Sequence, residues 1–176
     1  ALEKDIKMKP GDRIATIAWN THRHLEIYYG VAGAGGVVHT VNPRLDPRQV
    51  IWILNHAKAK AVFFDVTFAK LVEAIAKECK TVKRWVFMAG ENHRPEGKVK
   101  TDAYETLING GSHEYEWPQF DENAAAGLCY TSGTTGDPKG ALYSHRSTVL
   151  HAMACCATDV IGVGADGCLM PVVPMF

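Results

Sequence analysis

Residues 130–140 read YTSGTTGDPKG, which sets four aliphatic hydroxyls, three glycines and one lysine within eleven positions. A phosphate group is held by several donors converging on one point, and this stretch offers three kinds. Gly133, Gly136 and Gly140 allow the backbone to bend so that amide N–H groups face an anion. Thr131, Ser132, Thr134 and Thr135 add hydroxyl donors, and Lys139 adds a full positive charge on a flexible stem. Pro138 stiffens the exit. A solvated surface linker has much the same composition, so residue types alone leave both readings open. The phosphate-loop pattern GxxxxGK[ST] is not met: no glycine precedes Lys139, and Gly140 stands where a hydroxyl residue is required. That departure argues against a kinase or GTPase of that type.

Other chemistry-bearing residues give weaker patterns. The eight histidines include no HExxH spacing. His22 and His24 lie two apart at a helix start, so they do not share a face and make a poor metal pair. Ser144 and His145 are adjacent and cannot easily point at one another, which makes Ser144 a helix cap rather than a nucleophile. Trp19, Trp52, Trp85 and Trp117 read as packing residues rather than a base-stacking platform. Pro43 makes 41–45 a turn, with Arg44 as a structural anchor.

Short apolar runs alternate with helical patterns. Strands are predicted at 13–19, 37–41, 61–65 and 84–88. The intervening helices carry the stripes Leu25/Tyr28/Tyr29/Ala32, Val50/Ile53/Leu54/Ala57 and Phe68/Leu71/Val72/Ile75/Ala76/Cys79. Asp46, Pro47 and Gln49 form a capping-box start for the second helix. This β-α-β-α-β order predicts an α/β fold with an open, largely parallel sheet and flanking helices. Residues 90–101 and 109–123 read as irregular, with a helical turn at 104–108 between them. A strand at 126–130 leads into the hydroxyl-rich loop, and a short strand at 141–143 leaves it. Ser144 then caps a helix with the stripe Val149/Ala152/Met153/Cys156, and the chain ends in a further apolar strand over 168–176.

A length of 176 residues predicts one domain, able to bury roughly 70% of its unfolded surface. Nineteen basic and nineteen acidic residues leave no net pull toward nucleic acid or an anionic membrane. The longest nearly apolar run, residues 30–38, is far below the roughly 20 residues that span a bilayer. Five cysteines without CxxC spacing read as reduced, buried thiols in a cytoplasmic protein. The first residue is not methionine and the last stretch is apolar, so both ends are expected to be cuts within a longer protein.

The stretch YTSGTTGDPKG closely resembles the signature of the adenylate-forming, or AMP-binding, superfamily, in its fatty-acyl-CoA synthetase branch. The segments PGDRIATIAWN, GAGGVVHTVNPRL and YSHRS resemble further family stretches in the family's order, and PVVPMF resembles the run that leads to the acyl pocket. The resemblance implies activation of a fatty acid by ATP with Mg²⁺ to an acyl-adenylate, followed by thioester formation with coenzyme A. It implies that Thr131, Ser132, Gly133, Thr134, Thr135, Gly136 and Lys139 hold the ATP phosphates, with the Thr131 hydroxyl also assisting Mg²⁺. Residues 1–176 would then be part of the large N-terminal AMP-binding domain. The adenine and ribose contacts and the lysine-bearing C-terminal domain would lie outside them, leaving no catalytic residue within. The isolated chain is accordingly expected to be inactive. A homodimer is compatible with this reading. Two alternatives stand beside it: an aryl or amino-acid adenylating enzyme, and a non-catalytic nucleotide- or phosphate-binding module.

Overall fold

The computed structural model describes residues 1–112, 114–131 and 137–176. Its elements are β1 (Arg13–Ile17), α1 (His22–Gly33), β2 (Val37–Thr40), α2 (Pro47–His56), β3 (Ala61–Phe64) and α3 (Ala69–Ile75). They continue with β4 (Arg84–Phe87), β5 (Asp102–Ala103), α4 (Tyr104–Asn109), β6 (Ala125–Thr131), β7 (Lys139–Ser144) and α5 (His145–Cys156). The seven strands form one sheet in the order β5-β4-β3-β1-β2-β6-β7. Every pairing is parallel except β6–β7 at the edge, which is an antiparallel hairpin. The α/β reading and its mostly parallel sheet therefore hold.

The strands of the sheet's middle read as continuous apolar runs because both of their faces are covered. Ala15, Ile17, Val62, Phe64 and Phe87 pack on one face against Val50, Ile53 and Leu54 of α2 and Val72 and Ile75 of α3. Ile14, Phe63 and Val86 pack on the other face against Ile27 and Val31 of α1 and Tyr104 of α4. Burying each Val, Leu, Ile or Phe side chain among these contributes about 1.5–3 kcal/mol.

Local signals set the helix starts. Asp46 caps α2 by accepting from Arg48 N at 2.9 Å, with Pro47 at the first helical position. A reciprocal Gln49 contact is not among the described hydrogen bonds. Ser144 caps α5 by accepting from Ser147 N at 3.1 Å.

Several expectations are corrected. The buried stripe of α1 is His24, Ile27 and Val31, while Leu25 and Tyr29 are exposed. The polar label of His24 hides this stripe: its ring nitrogens are satisfied by Thr16 Oγ1 at 2.9 Å and the Trp19 carbonyl at 3.1 Å. Helix α5 buries none of its residues, so its stripe faces outward. Residues 168–176 form no strand among the described residues, though 171–176 run alongside the start of α1. The two-residue β5 lies in a stretch that lacks any sequence signal for a strand. All five cysteines are free, but only Cys79 is buried: Cys129 and Cys155 are half-buried, and Cys156 and Cys168 are exposed. No helix among the described residues is long and apolar enough to cross a membrane.

Candidate phosphate-binding site

Parallel strands put the carboxyl ends of β1, β2, β3 and β6 on one edge of the sheet. Chain order reverses around β1, which has β3 on one side and β2 on the other. A crevice at such an edge is where open α/β sheets take ligands. The hydroxyl-rich loop leaves β6 at this same edge.

The hairpin register brings the loop's two ends together. Thr131 pairs directly with Lys139, and Tyr130 pairs with Gly140. The Thr131 hydroxyl donates to the Lys139 carbonyl at 3.4 Å, a long contact that an incoming acceptor can displace. Thr131 and Lys139 are both exposed, so a hydroxyl and an ammonium flank the loop's mouth from adjacent strand ends. They are the last residue of β6 and the first of β7, not residues inside the loop. Ser132, Gly133, Thr134, Thr135 and Gly136 lie outside the described residues. Gly140 does not bend toward an anion. It sits in β7 beneath Tyr130, where an added Cβ would lie 3.2 Å from both the Tyr130 ring and Leu128 Cδ1. Among the described residues no cluster of three or more His, Cys, Asp or Glu could hold a metal ion.

The residue before the loop is anchored. Tyr130 OH lies 2.6 Å from His56 Nδ1 at the end of α2. Its ring packs edge-on against Trp52 at 6.2 Å and beside His39 at 5.3 Å. Trp52 in turn stacks flat on His56 at 4.5 Å. The start of the loop is thereby tied to α2 by aromatic packing and a hydrogen bond.

His39, in the middle of β2, is fully buried. Its Nδ1 meets the Leu128 carbonyl at 3.0 Å, and a carbonyl can only accept, so Nδ1 carries the proton. Nε2 has no partner among the described residues. Burial pulls the ring's pKa down to about 4, and the charge of Arg13 acts in the same direction. His39 is thus a neutral core histidine.

Ser144 and His145 are not a nucleophile–base pair. The Ser144 oxygen is committed to capping, and the His145 ring packs on Phe120 at 4.7 Å. No local pattern points to the Tyr130–His56 contact, which joins residues 74 apart.

The strands and helices define an open α/β domain with a largely parallel sheet, and the comparisons with known proteins give its family. The AMP-binding enzyme family model matches residues 1–176, so the chain belongs to that family. It is 54% identical over 177 residues to a 3-methylmercaptopropionyl-CoA ligase of Ruegeria lacuscaerulensis, covering 100% of this chain and 33% of that protein. It is 51% identical over 170 residues to a medium-chain-fatty-acid–CoA ligase of Ectopseudomonas oleovorans, covering 96% and 31%. The chain spans about a third of the length of the curated relatives it matches. Among solved structures, the anthranilate CoA ligase AuaEII in complex with anthranoyl-AMP superposes with a TM-score of 0.77. That match has 21% identity and covers 85% of this chain and 28% of the other, a likeness of fold.

Proposed function

We propose that this chain is part of the N-terminal AMP-binding domain of a longer acid–thiol ligase that activates an aliphatic carboxylic acid. A carboxylate oxygen attacks the α-phosphorus of ATP, forming the acyl-adenylate and expelling pyrophosphate. The thiol of coenzyme A then attacks the acyl carbon, forming the thioester and releasing AMP. Adenylation is needed because oxide is a poor leaving group and AMP a good one.

The observation that carries this reading is the pairing of Thr131 with Lys139 across the mouth of the hydroxyl- and glycine-rich loop at the sheet's carboxyl edge. Lys139 supplies positive charge where negative charge grows on the departing pyrophosphate, and the loop's donors orient it. A Mg²⁺ ion would neutralise phosphate charge there. The exposed Thr131 hydroxyl fits it as one protein oxygen beside phosphate oxygens, since such ions are commonly held by few protein groups. Family membership over the whole chain supports ATP as the nucleotide. The names of the two relatives above, one acting on a thioether acid and one on medium-chain fatty acids, support an aliphatic acid over an aryl or amino acid. Five free cysteines fit a reducing, cytoplasmic setting.

The test is acid-dependent exchange of labelled pyrophosphate into ATP by the full-length protein, across aliphatic, aromatic and amino acids. Exchange with aliphatic acids is expected. Exchange with aromatic or amino acids alone would transfer the protein to another adenylating class. No exchange with any acid would favour a non-catalytic nucleotide-binding module.

A further inference from the structure

The hairpin that carries the hydroxyl-rich loop overhangs the sheet. Strand β6 pairs with β2 at three positions, and the last of these joins Thr40 to Cys129. Its pairing with β7 runs two residues further, through Tyr130–Gly140 to Thr131–Lys139. Residues 130–131 and 139–140 are therefore paired with each other and with no inner strand. Apolar burial holds the hairpin weakly: Ala126 is the one buried residue of β6, and β7 and α5 bury none. Side chains tie β6 to β2 only as far as the ladder goes. His39 Nδ1 donates to the Leu128 carbonyl, and Thr40 Oγ1 lies 3.5 Å from Cys129 Sγ. Among the described residues, the one hydrogen bond from the overhang to the body of the fold joins Tyr130 OH to His56 Nδ1.

The far end of this strut is rigid. His56 closes α2, whose Val50, Ile53 and Leu54 are buried. The end of that helix is held in turn. Asn55 Nδ2 donates to the Glu78 carbonyl at 3.0 Å, and the Leu54 carbonyl accepts from Thr81 Oγ1 at 3.3 Å. Trp52, one turn before His56, lies within 10° of parallel to its ring and so fixes the ring's plane. Tyr130 meets both rings edge-on, at 86° and 87°, the arrangement that aromatic quadrupoles favour. Gly140 completes the seat, since a Cβ there would lie 3.2 Å from Tyr130 Cζ and crowd the ring.

Thr131 and Lys139 are the next pair out along the hairpin. Any swing of the overhang moves the hydroxyl and the ammonium together, away from the phosphates they would hold. A displacement of about 1 Å at such groups can cost roughly 100-fold in rate.

We propose that His56 and Trp52 are positioning residues for the phosphate loop: they act through the Tyr130 ring, which braces the overhanging end of the β6–β7 hairpin. This rests on the function proposed above. His56 is exposed, so changing it leaves the core intact. In the full-length protein, His56→Phe keeps an aromatic ring on Trp52 and loses the hydrogen bond. It should raise KM for ATP roughly 2- to 10-fold. His56→Ala loses both contacts and should raise it roughly 10- to 50-fold. His56→Asn restores a polar atom near the place of Nδ1 and should recover part of the loss. Gly140→Ala should resemble His56→Phe. The two combined should cost less than the sum of their effects, because both act through one ring. KM for the acid, and thioester formation from preformed acyl-adenylate, should stay within about twofold throughout.

Hydrogen exchange provides a readout independent of activity. Amides of 130–131 and 139–140 should exchange faster in His56→Ala, with β2 and α2 amides unchanged. That result in a protein with no acid-dependent pyrophosphate exchange would retain the strut and sink the proposed function. Unchanged exchange at these amides would overturn the proposal. So would an active His56→Ala variant with the wild-type KM for ATP, equal losses in both half-reactions, or a His56→Asn variant no better than His56→Ala.

Discussion

Lowering the pH should weaken the centre of the sheet through one residue, His39. In the fold its ring is neutral, fully buried and without a partner at Nε2 among the described residues. Burial takes its pKa from the ordinary 6.5 to about 4. Between these values the unfolded chain binds a proton that the folded chain refuses. Stability therefore rises with pH across this window, is fully present above about 6.5, and is lost as the pH falls toward 4. Each pH unit is worth about 1.4 kcal/mol, so the whole passage costs roughly 3 kcal/mol through His39 alone. The assay is native-state hydrogen exchange at β2 amides of the full-length protein, between pH 7 and 4.5, corrected for intrinsic exchange. His39→Gln keeps a donor for the Leu128 carbonyl and cannot take a charge, so it should flatten the profile. His24 and His145 are also pushed down by burial, but they are present in both proteins and cancel in the difference. Equal pH slopes for the wild type and His39→Gln would refute the reasoning.

Three further outcomes follow from the packing and the loop. Gly36→Ala places a Cβ 2.7 Å from Met8 Sδ and 3.1 Å from the Val31 carbonyl, both in the core beneath α1. Overpacking there should cost about 1–3 kcal/mol, read as faster exchange at α1 amides. Tyr130→Phe removes the 2.6 Å contact with His56. It should cost about 0.5–1.5 kcal/mol of loop anchoring, seen as a several-fold higher KM for ATP with the acid KM unchanged. The isolated 176-residue chain should bind nucleotide poorly and convert no ATP to AMP, measured by chromatography of the nucleotides; turnover by the pure chain would contradict the proposed division of the site.

Legibility in the sequence followed how local each signal was. Asp46-Pro47 and Ser144 announce helix starts because a cap is a contact between residues two or three apart. The buried strands of the sheet's middle read clearly because both faces are covered, leaving no polar alternation. Helix α1 misled because it has two apolar sides. Leu25, Tyr28, Tyr29 and Ala32 do share a face, but it lines an open groove of about 320 Å³ beside β6 and β7. The buried side includes His24, whose polar atoms are satisfied by residues that no periodicity can reveal. The loop's residue types pointed to phosphate, whereas the true place of Gly140, under the Tyr130 ring, depends on hairpin register. The hydrogen bonds of Asn20 to residues 171–175 carried no signal at all, since they join residues more than 150 apart.

The central claim is that the loop between Thr131 and Lys139 acts on the departing pyrophosphate. The direct measurement separates the two half-reactions in the full-length protein. Acid-dependent pyrophosphate exchange reports the first, and thioester formation from preformed acyl-adenylate reports the second. Thr131→Ala and Lys139→Ala each remove a donor to a charged group, worth about 1.5–3 kcal/mol, or roughly 10- to 150-fold in rate. The account predicts that loss in adenylation, with thiol capture nearly unchanged. Equal losses in both halves, or none in adenylation, would contradict it.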